Sequence, residues 1–186
     1  MRNPKDSFCS HCGGELARSH RYPRKCPRQS CSADIYANPI PVVLLLLPVW
    51  CEKRLGLLVV RRAIEPKVGK LALVGGFLEE HETWQQGAAR EASEEAGVSV
   101  PPSSLVPYSF ASSDPRPNRI LLFARGQPLP SSELPPFVQN PEVSERGLIF
   151  GTHGLAPHFA FPLHLQASGR FFDETGHNGP HDFRPF

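Results

Sequence analysis

The sequence predicts an α/β domain behind a small module that lacks a hydrophobic core of its own. Three observations carry that reading. Short apolar runs bounded by Pro or Gly recur from residue 39 onward, one helix is strongly signalled between them, and the first 36 residues hold four cysteines but little apolar content. A chain of 186 residues suits one compact domain plus an appendage. Its 40% hydrophobic and 20% charged content excludes a wholly disordered chain, and its 21 prolines predict stiff loops.

Ile40–Leu47, Leu55–Arg61, Leu71–Val74, Ile120–Ala124 and Leu148–Phe150 read as strands, being short and rich in Val, Leu and Ile. The helix begins at Thr83, where Gln86 three residues on completes a capping-box pattern. It continues through Ala88, Ala89, Ala92 and Ala96 and stops at Gly97. Ten prolines between Pro101 and Pro141 break that stretch into loops around the Ile120 strand, and residues 166–186 read as a flexible tail. The organisation is therefore a module over 1–36, a domain over 37–165 and the tail. The polar N-terminus resembles no secretion signal, and the Val42–Leu47 run is too short to span a bilayer, so a cytoplasmic protein with no membrane partner is expected.

The net charge of +2 argues against a protein that coats nucleic acid, but it conceals a segregation. Met1–Ser30 carries seven basic residues against Asp6 and Glu15, a net of +5. Glu79–Glu95 carries six glutamates against Arg90, a net of −5. Two such segments imply two chemistries.

In the basic segment, Cys9-Ser-His-Cys12 and Cys26-Pro-Arg-Gln-Ser-Cys31 form two short knuckles thirteen residues apart. Four thiolates so arranged can close a tetrahedron around Zn²⁺, whose bonds replace the missing core, and this is the expected zinc ribbon. His11 and His20 are secondary ligand candidates, and Cys51 reads as a small buried side chain.

In the acidic segment, Glu91, Glu94 and Glu95 stand at i, i+3 and i+4, so their like charges share one helix face and call for a cation. Hard oxygen ligands select Mg²⁺, Mn²⁺ or Ca²⁺ over softer metals and leave coordination sites for phosphate oxygens and water. Gly76, five residues, Glu82, seven residues, then Arg90-Glu91-Ala92-Ser93-Glu94-Glu95-Ala96-Gly97-Val98 follows the Nudix box at every position, with Ala92 smaller than the usual apolar residue. The chain thus resembles the Nudix hydrolases.

The resemblance implies an α/β/α sandwich around a mixed sheet and hydrolysis of a nucleoside diphosphate linked to another moiety. It implies that Glu91, Glu94 and Glu95, with the Gly76 carbonyl, hold Mg²⁺ or Mn²⁺. Glu82 pairs with Arg90 in a structural role, and Glu91 or a later acid serves as general base. Glu142 and Glu145 are candidates for that acid, with Glu145 preferred.

The ribbon ahead of the box, and the junction Ile35-Tyr-Ala-Asn-Pro-Ile-Pro41, are similar to the NADH pyrophosphatases and to zinc-ribbon Nudix enzymes active on ADP-ribose or FAD. Where the former carry Ser-Gln-Pro-Trp, this chain reads Ser112-Ser113-Asp114-Pro115-Arg116-Pro117, so the resemblance stops short of NADH specificity. Arg116, Arg119 and Phe77 are the candidate substrate contacts, with Tyr108 and Phe110 as further aromatics. A nucleotide is the expected partner, nucleic acid (an RNA cap) is the disfavoured one, and relatives of this kind are often homodimers. A nucleotide-sensing regulator is the rival reading, which loss of a box glutamate would favour; none is lost.

Overall fold

The computed structural model describes residues 7–19, 21–113, 119–179 and 182–186, and the chain divides into two units, Met1–Pro39 and Ile40–Phe186. The division falls three residues beyond the expected boundary at 36. In the first unit β1 (Arg24–Lys25) pairs antiparallel with β2 (Asp34–Ile35). Cys9, Leu16, Cys26 and Ile35 are its buried apolar side chains, with Cys12, Cys31 and Ala33 packed partly buried against them, and Arg24 is buried as well. Two aliphatic residues cannot stabilise a domain, so the cysteines must hold it.

The second unit is built on strands whose two faces are both buried. In β3 (Ile40–Leu46), Val43 and Leu45 join one core cluster while Val42, Leu44 and Leu46 join the other. The same alternation runs along β5 (Arg54–Arg62), where Leu58 and Val60 oppose Leu57 and Val59. Such continuous apolar runs belong to strands covered on both sides. The first cluster is closed by Ala88, Ala92 and Ala96 of α1 (Trp84–Ala96), the second by Ala167, Phe171 and Phe172 of α2 (Pro162–Thr175). The result is the expected α/β/α arrangement.

The remaining strands are β4 (Pro48–Cys51), β6 (Leu71–Ala72), β7 (Val74–Phe77), β8 (Val106–Ser112), β9 (Arg119–Arg125), β10 (Leu129–Pro130), β11 (Val143–Ile149) and β12 (Phe183–Pro185). One sheet runs β10-β4-β5-β11-β12 with β6 also on β5, and the other runs β7-β3-β9-β8. Both are mixed, since β10 is parallel to β4 and β3 to β9 while the other pairs are antiparallel. No helix among the described residues is long and apolar enough to cross a membrane.

Three expectations are corrected. The tail is not flexible as a whole: α2 starts at Pro162, ends at the left-handed Gly176, and buries Phe171 and Phe172, while β12 pairs with β11. The stretch around residue 107 is not only loop, because β8 lies at a sheet edge, where Pro107 is tolerated beside a register shift. The single strand expected over Leu71–Val74 is two. The chain leaves β5 after Ala72 and joins β3 at Val74, and the Leu73 N–H between them donates to Nδ1 of buried His164 (3.3 Å). Burial holds that imidazole neutral, with its pKa near about 3, and a neutral ring can accept this bond.

Because Phe172 is fully buried, Phe172→Ala should cost about 3–5 kcal/mol in urea unfolding. A variant as stable as the parent would mean that α2 is not part of the core.

Candidate metal and diphosphate site

The site is assembled by α1 and by β7 leading into it. Thr83 Oγ1 accepts from the Gln86 N–H (3.3 Å) and the Gln86 side chain accepts from the Thr83 N–H (2.8 Å), which fixes the first turn. Gly97 closes the other end, its N–H donating to the Ser93 carbonyl (3.0 Å). Two glycines allow the close approach between β7 and its neighbours. A Cβ on Gly75, whose φ is +147°, would overlap the Val43 carbonyl, and one on Gly76 would overlap the Glu91 carboxylate.

Arg90 organises the acidic face. Its Nε and Nη2 donate to the two oxygens of Glu82 (3.1 and 2.9 Å), a fork-to-fork pair. Its Nη1 donates to Glu91 (2.8 Å) and Glu94 (2.9 Å), and Nη2 also reaches the Phe77 carbonyl (3.0 Å). The pairing with Glu82 lowers that acid's pKa and raises that of Arg90. Gly87 leaves room for Glu82 and Leu78, since a Cβ there would strike both.

The three box glutamates are not equivalent. Glu91 and Glu95, one turn apart, are buried, whereas Glu94 is exposed at the rim. Glu95 accepts from the Gly75 N–H (2.9 Å). Burial nevertheless pushes its pKa up to about 8, and the charges of Glu91 and Glu142 add to the shift. Burial also raises Glu91, with Glu94 and Glu142 contributing and Arg90 opposing. Two carboxylates that burial makes reluctant to ionise, beside a rim carboxylate and a close backbone turn, suit a hard divalent cation.

Of the two later acids, Glu145 accepts from Arg61 Nε (2.7 Å) and is held in that ion pair on β11. Glu142 is the one whose charge reaches Glu91 and Glu95. Arg119 packs its guanidinium over the exposed Phe77 ring (5.3 Å), so two of the candidate substrate contacts meet next to the box, and Arg119 Nε is buried with no hydrogen-bond partner among the described residues. Arg116 lies outside the described residues, as does His20. Tyr108 and Phe110 instead line a separate 570 Å³ cavity with Trp84 and Phe123.

In the N-terminal unit the Sγ atoms of Cys9, Cys12, Cys26 and Cys31 lie within 4.8 Å of one another, the one such cluster among the described residues, and His11 is outside it. Cys9 and Cys31 are 3.8 Å apart and Cys12 and Cys26 3.6 Å. Burial opposes ionisation of Cys9, but backbone N–H groups of His11 and Cys12 bring its pKa down to about 6. Cys26, despite a backbone donor at Arg28, is pushed up to about 12 by burial and its neighbouring thiols. The first proton leaves easily and later ones leave against accumulated charge, which a bound cation would offset. Cys51 is a buried side chain of the core, as expected.

Sequence reasoning missed Asn140, Arg146 and His164. Arg146 is almost fully buried in β11, donating to the Ala96 carbonyl at the end of α1 and to the Pro135 carbonyl (both 2.7 Å). Its signal was a cation set among the apolar residues of a strand. Asn140-Pro141 had only the signature of a turn.

The NUDIX domain model matches residues 42–155. The chain belongs to the NUDIX family. It is 32% identical over 116 residues to the NAD-capped RNA hydrolase NudC of Chromobacterium violaceum, an alignment covering 62% of this chain and 40% of that protein. The chain thus spans about two fifths of that curated relative. A NUDIX hydrolase from Nitrosomonas europaea superposes with a TM-score of 0.66 at 30% identity, over 94% of this chain and 95% of that one. The NUDIX domain of Shewanella oneidensis NrtR, solved with ADP ribose, shares the fold at 20% identity (TM-score 0.62, 75% of this chain and 90% of that one).

The raised Glu95 pKa gives a signed prediction. Between about 4.5 and about 8 the folded NUDIX domain holds a proton that the unfolded chain has released. Without added divalent cation, stability should therefore fall as pH rises through that window. Added Mn²⁺ should raise the calorimetric Tm more at pH 8 than at pH 6, where it must displace the proton. Equal gains at the two pH values, or no loss of the difference in Glu95→Gln, would contradict this.

Proposed function

We propose that this NUDIX protein is a divalent-metal-dependent pyrophosphohydrolase that splits a nucleoside diphosphate linked to another moiety, of the ADP-ribose, FAD or NADH class, into two monophosphates. The observation that carries the reading is the complete box folded so that buried Glu91 stands against Gly76 and buried Glu95 accepts from the Gly75 N–H, with Glu94 at the rim. Glu91, Glu94, Glu95 and the Gly76 carbonyl would hold Mg²⁺ or Mn²⁺. When bound, the metal supplies neutralisation of the diphosphate and a more acidic water.

The chain's own groups do the rest. Arg90 and Glu82 position the carboxylates and the β7 backbone. A carboxylate takes the proton of the attacking water as its oxygen bonds to one phosphorus, and the bridging P–O bond breaks to release the other phosphate. Glu142 is preferred to Glu145 for this role, because the Arg61 ion pair occupies Glu145 while the charge of Glu142 reaches the box. Arg119 and Phe77, with Arg116, would contact phosphate and base.

The four cysteines would hold a structural Zn²⁺. Zn–S bonds of about 2.3 Å give tetrahedral S–S edges of about 3.8 Å, in line with the Cys9–Cys31 and Cys12–Cys26 separations of 3.8 and 3.6 Å. Free thiols suit a reducing compartment such as the cytoplasm. A second reading, cleavage of a nucleotide cap from RNA, is favoured by the 32% identity to NudC and by the basic ribbon, whose +5 would fall to about +3 with four thiolates on Zn²⁺.

Glu94→Gln should reduce kcat by about a hundredfold or more on ADP-ribose, FAD or NADH with Mn²⁺ while the circular-dichroism spectrum is kept. An unchanged rate would refute the role of the box. Elemental analysis should find about one Zn per folded chain, and folded protein free of zinc would refute the ribbon assignment.

A further inference from the structure

The C-terminal turn of α1 leaves three carbonyls that its own cap does not satisfy. The Gly97 and Val98 N–H groups donate to Ser93 and Ala92, respectively, which leaves Glu94, Glu95 and Ala96. Side chains from the connection into β11 and from β11 itself take them. Asn140 Nδ2 donates to the Glu94 carbonyl (2.9 Å) and approaches that of Glu95 (3.5 Å), and Arg146 Nη1 donates to Ala96 (2.7 Å).

The same two side chains grip the connecting segment. Asn140 Oδ1 accepts from the N–H groups of Glu142 (3.0 Å) and Val143 (2.9 Å), and Arg146 Nη2 donates to Pro135 (2.7 Å). The Glu142 carbonyl in turn accepts from the Ala63 N–H (2.7 Å). Both backbone groups of Glu142 are therefore fixed, one of them through a single side chain bonded to the backbone of two box glutamates. A helix end needs no such bridge merely to be capped, since a solvated turn and a C′ glycine serve elsewhere.

We propose that Asn140 and Arg146 are positioning residues that lock the 135–143 segment onto the end of the box helix and so hold Glu142 in register with Glu91 and Glu95. This rests on the pyrophosphohydrolase reading and on Glu142 taking part in it. Asn140 supplies the geometry, one amide accepting from the acid's own N–H and donating to the helix. Arg146 supplies rigidity, its planar fork spanning two carbonyls that a single ammonium cannot bridge in the same way.

The test is a double-mutant cycle in kcat on ADP-ribose with Mn²⁺, in the full chain, using Asn140→Ala, Glu142→Gln and the pair. Each single change should lower kcat about tenfold or more with KM little altered, and Asn140→Ala should cost less than about threefold when Glu142 is already Gln. An equal cost of Asn140→Ala in both backgrounds would mean that Asn140 only caps the helix, and the proposal would fall. A wild-type kcat in either single variant would also overturn it. Arg146→Lys, which keeps the charge but not the fork, should likewise lower kcat several-fold with KM little altered, and a wild-type kcat in it would overturn the role of Arg146; should it fail to fold, the Asn140 cycle decides. If the wild-type chain hydrolyses no diphosphate in the panel, the pyrophosphohydrolase reading fails and takes this proposal with it. If Glu94→Gln is inactive but the cycle is additive, the reading stands and only the latch is lost.

Discussion

The domain depends on one guanidinium. Arg90 binds Glu82 through both of its oxygens, shares one nitrogen between Glu91 and Glu94, and reaches the Phe77 carbonyl. It thereby ties the loop before α1, the helix itself and the end of β7 into a single body. Arginine is suited to this because it stays charged and presents five donors in a fixed plane. A rigid hub of this kind holds the carboxylates of Glu82, Glu91 and Glu94 within hydrogen-bond reach of one cation.

Even so, one guanidinium does not satisfy all the charge it gathers. Among the described residues the Gly75 N–H is the hydrogen-bond donor to Glu95, and burial makes the carboxyl reluctant to ionise. The fold thus carries an electrostatic debt at one face of α1, which a divalent cation would resolve, with coordination positions left over for an anionic substrate. The thiol cluster of the N-terminal unit follows the same logic with softer donors, where backbone N–H groups ease the first ionisation and crowding resists the later ones. The opposed charges of the two segments, which nearly cancel in the composition, therefore mark two places where metal binding would be linked to stability.

What could be read in advance divides along physical lines. β3, β5 and α1 were legible because their signals are local: apolar runs buried on both faces, a capping box, and a terminal glycine. The box was legible because its partners lie within 23 residues, from Gly76 to Val98. The helix α2 was hidden because its buried face includes His164 and Ser168 beside Ala167, Phe171 and Phe172, which breaks the apolar period, although Pro162 and Gly176 marked its ends. The ion pair that holds Glu145 was hidden because its partner Arg61 is 84 residues away and a register shift between Val143 and Glu145 interrupts the alternation there. Asn140 and Arg146 meet carbonyls 46 and 50 residues away, and no local pattern announces such a contact.

The central claim is that this face directs water onto a phosphorus of a bridged diphosphate. Its most direct test is turnover of ADP-ribose or FAD in ¹⁸O-enriched water with Mg²⁺ or Mn²⁺, followed by mass spectrometry of the products. Two monophosphates are expected, one of them carrying a single ¹⁸O on phosphorus, with no turnover without the metal. Label found only on carbon, release of free inorganic phosphate as the primary product, or turnover indifferent to divalent cation would contradict it.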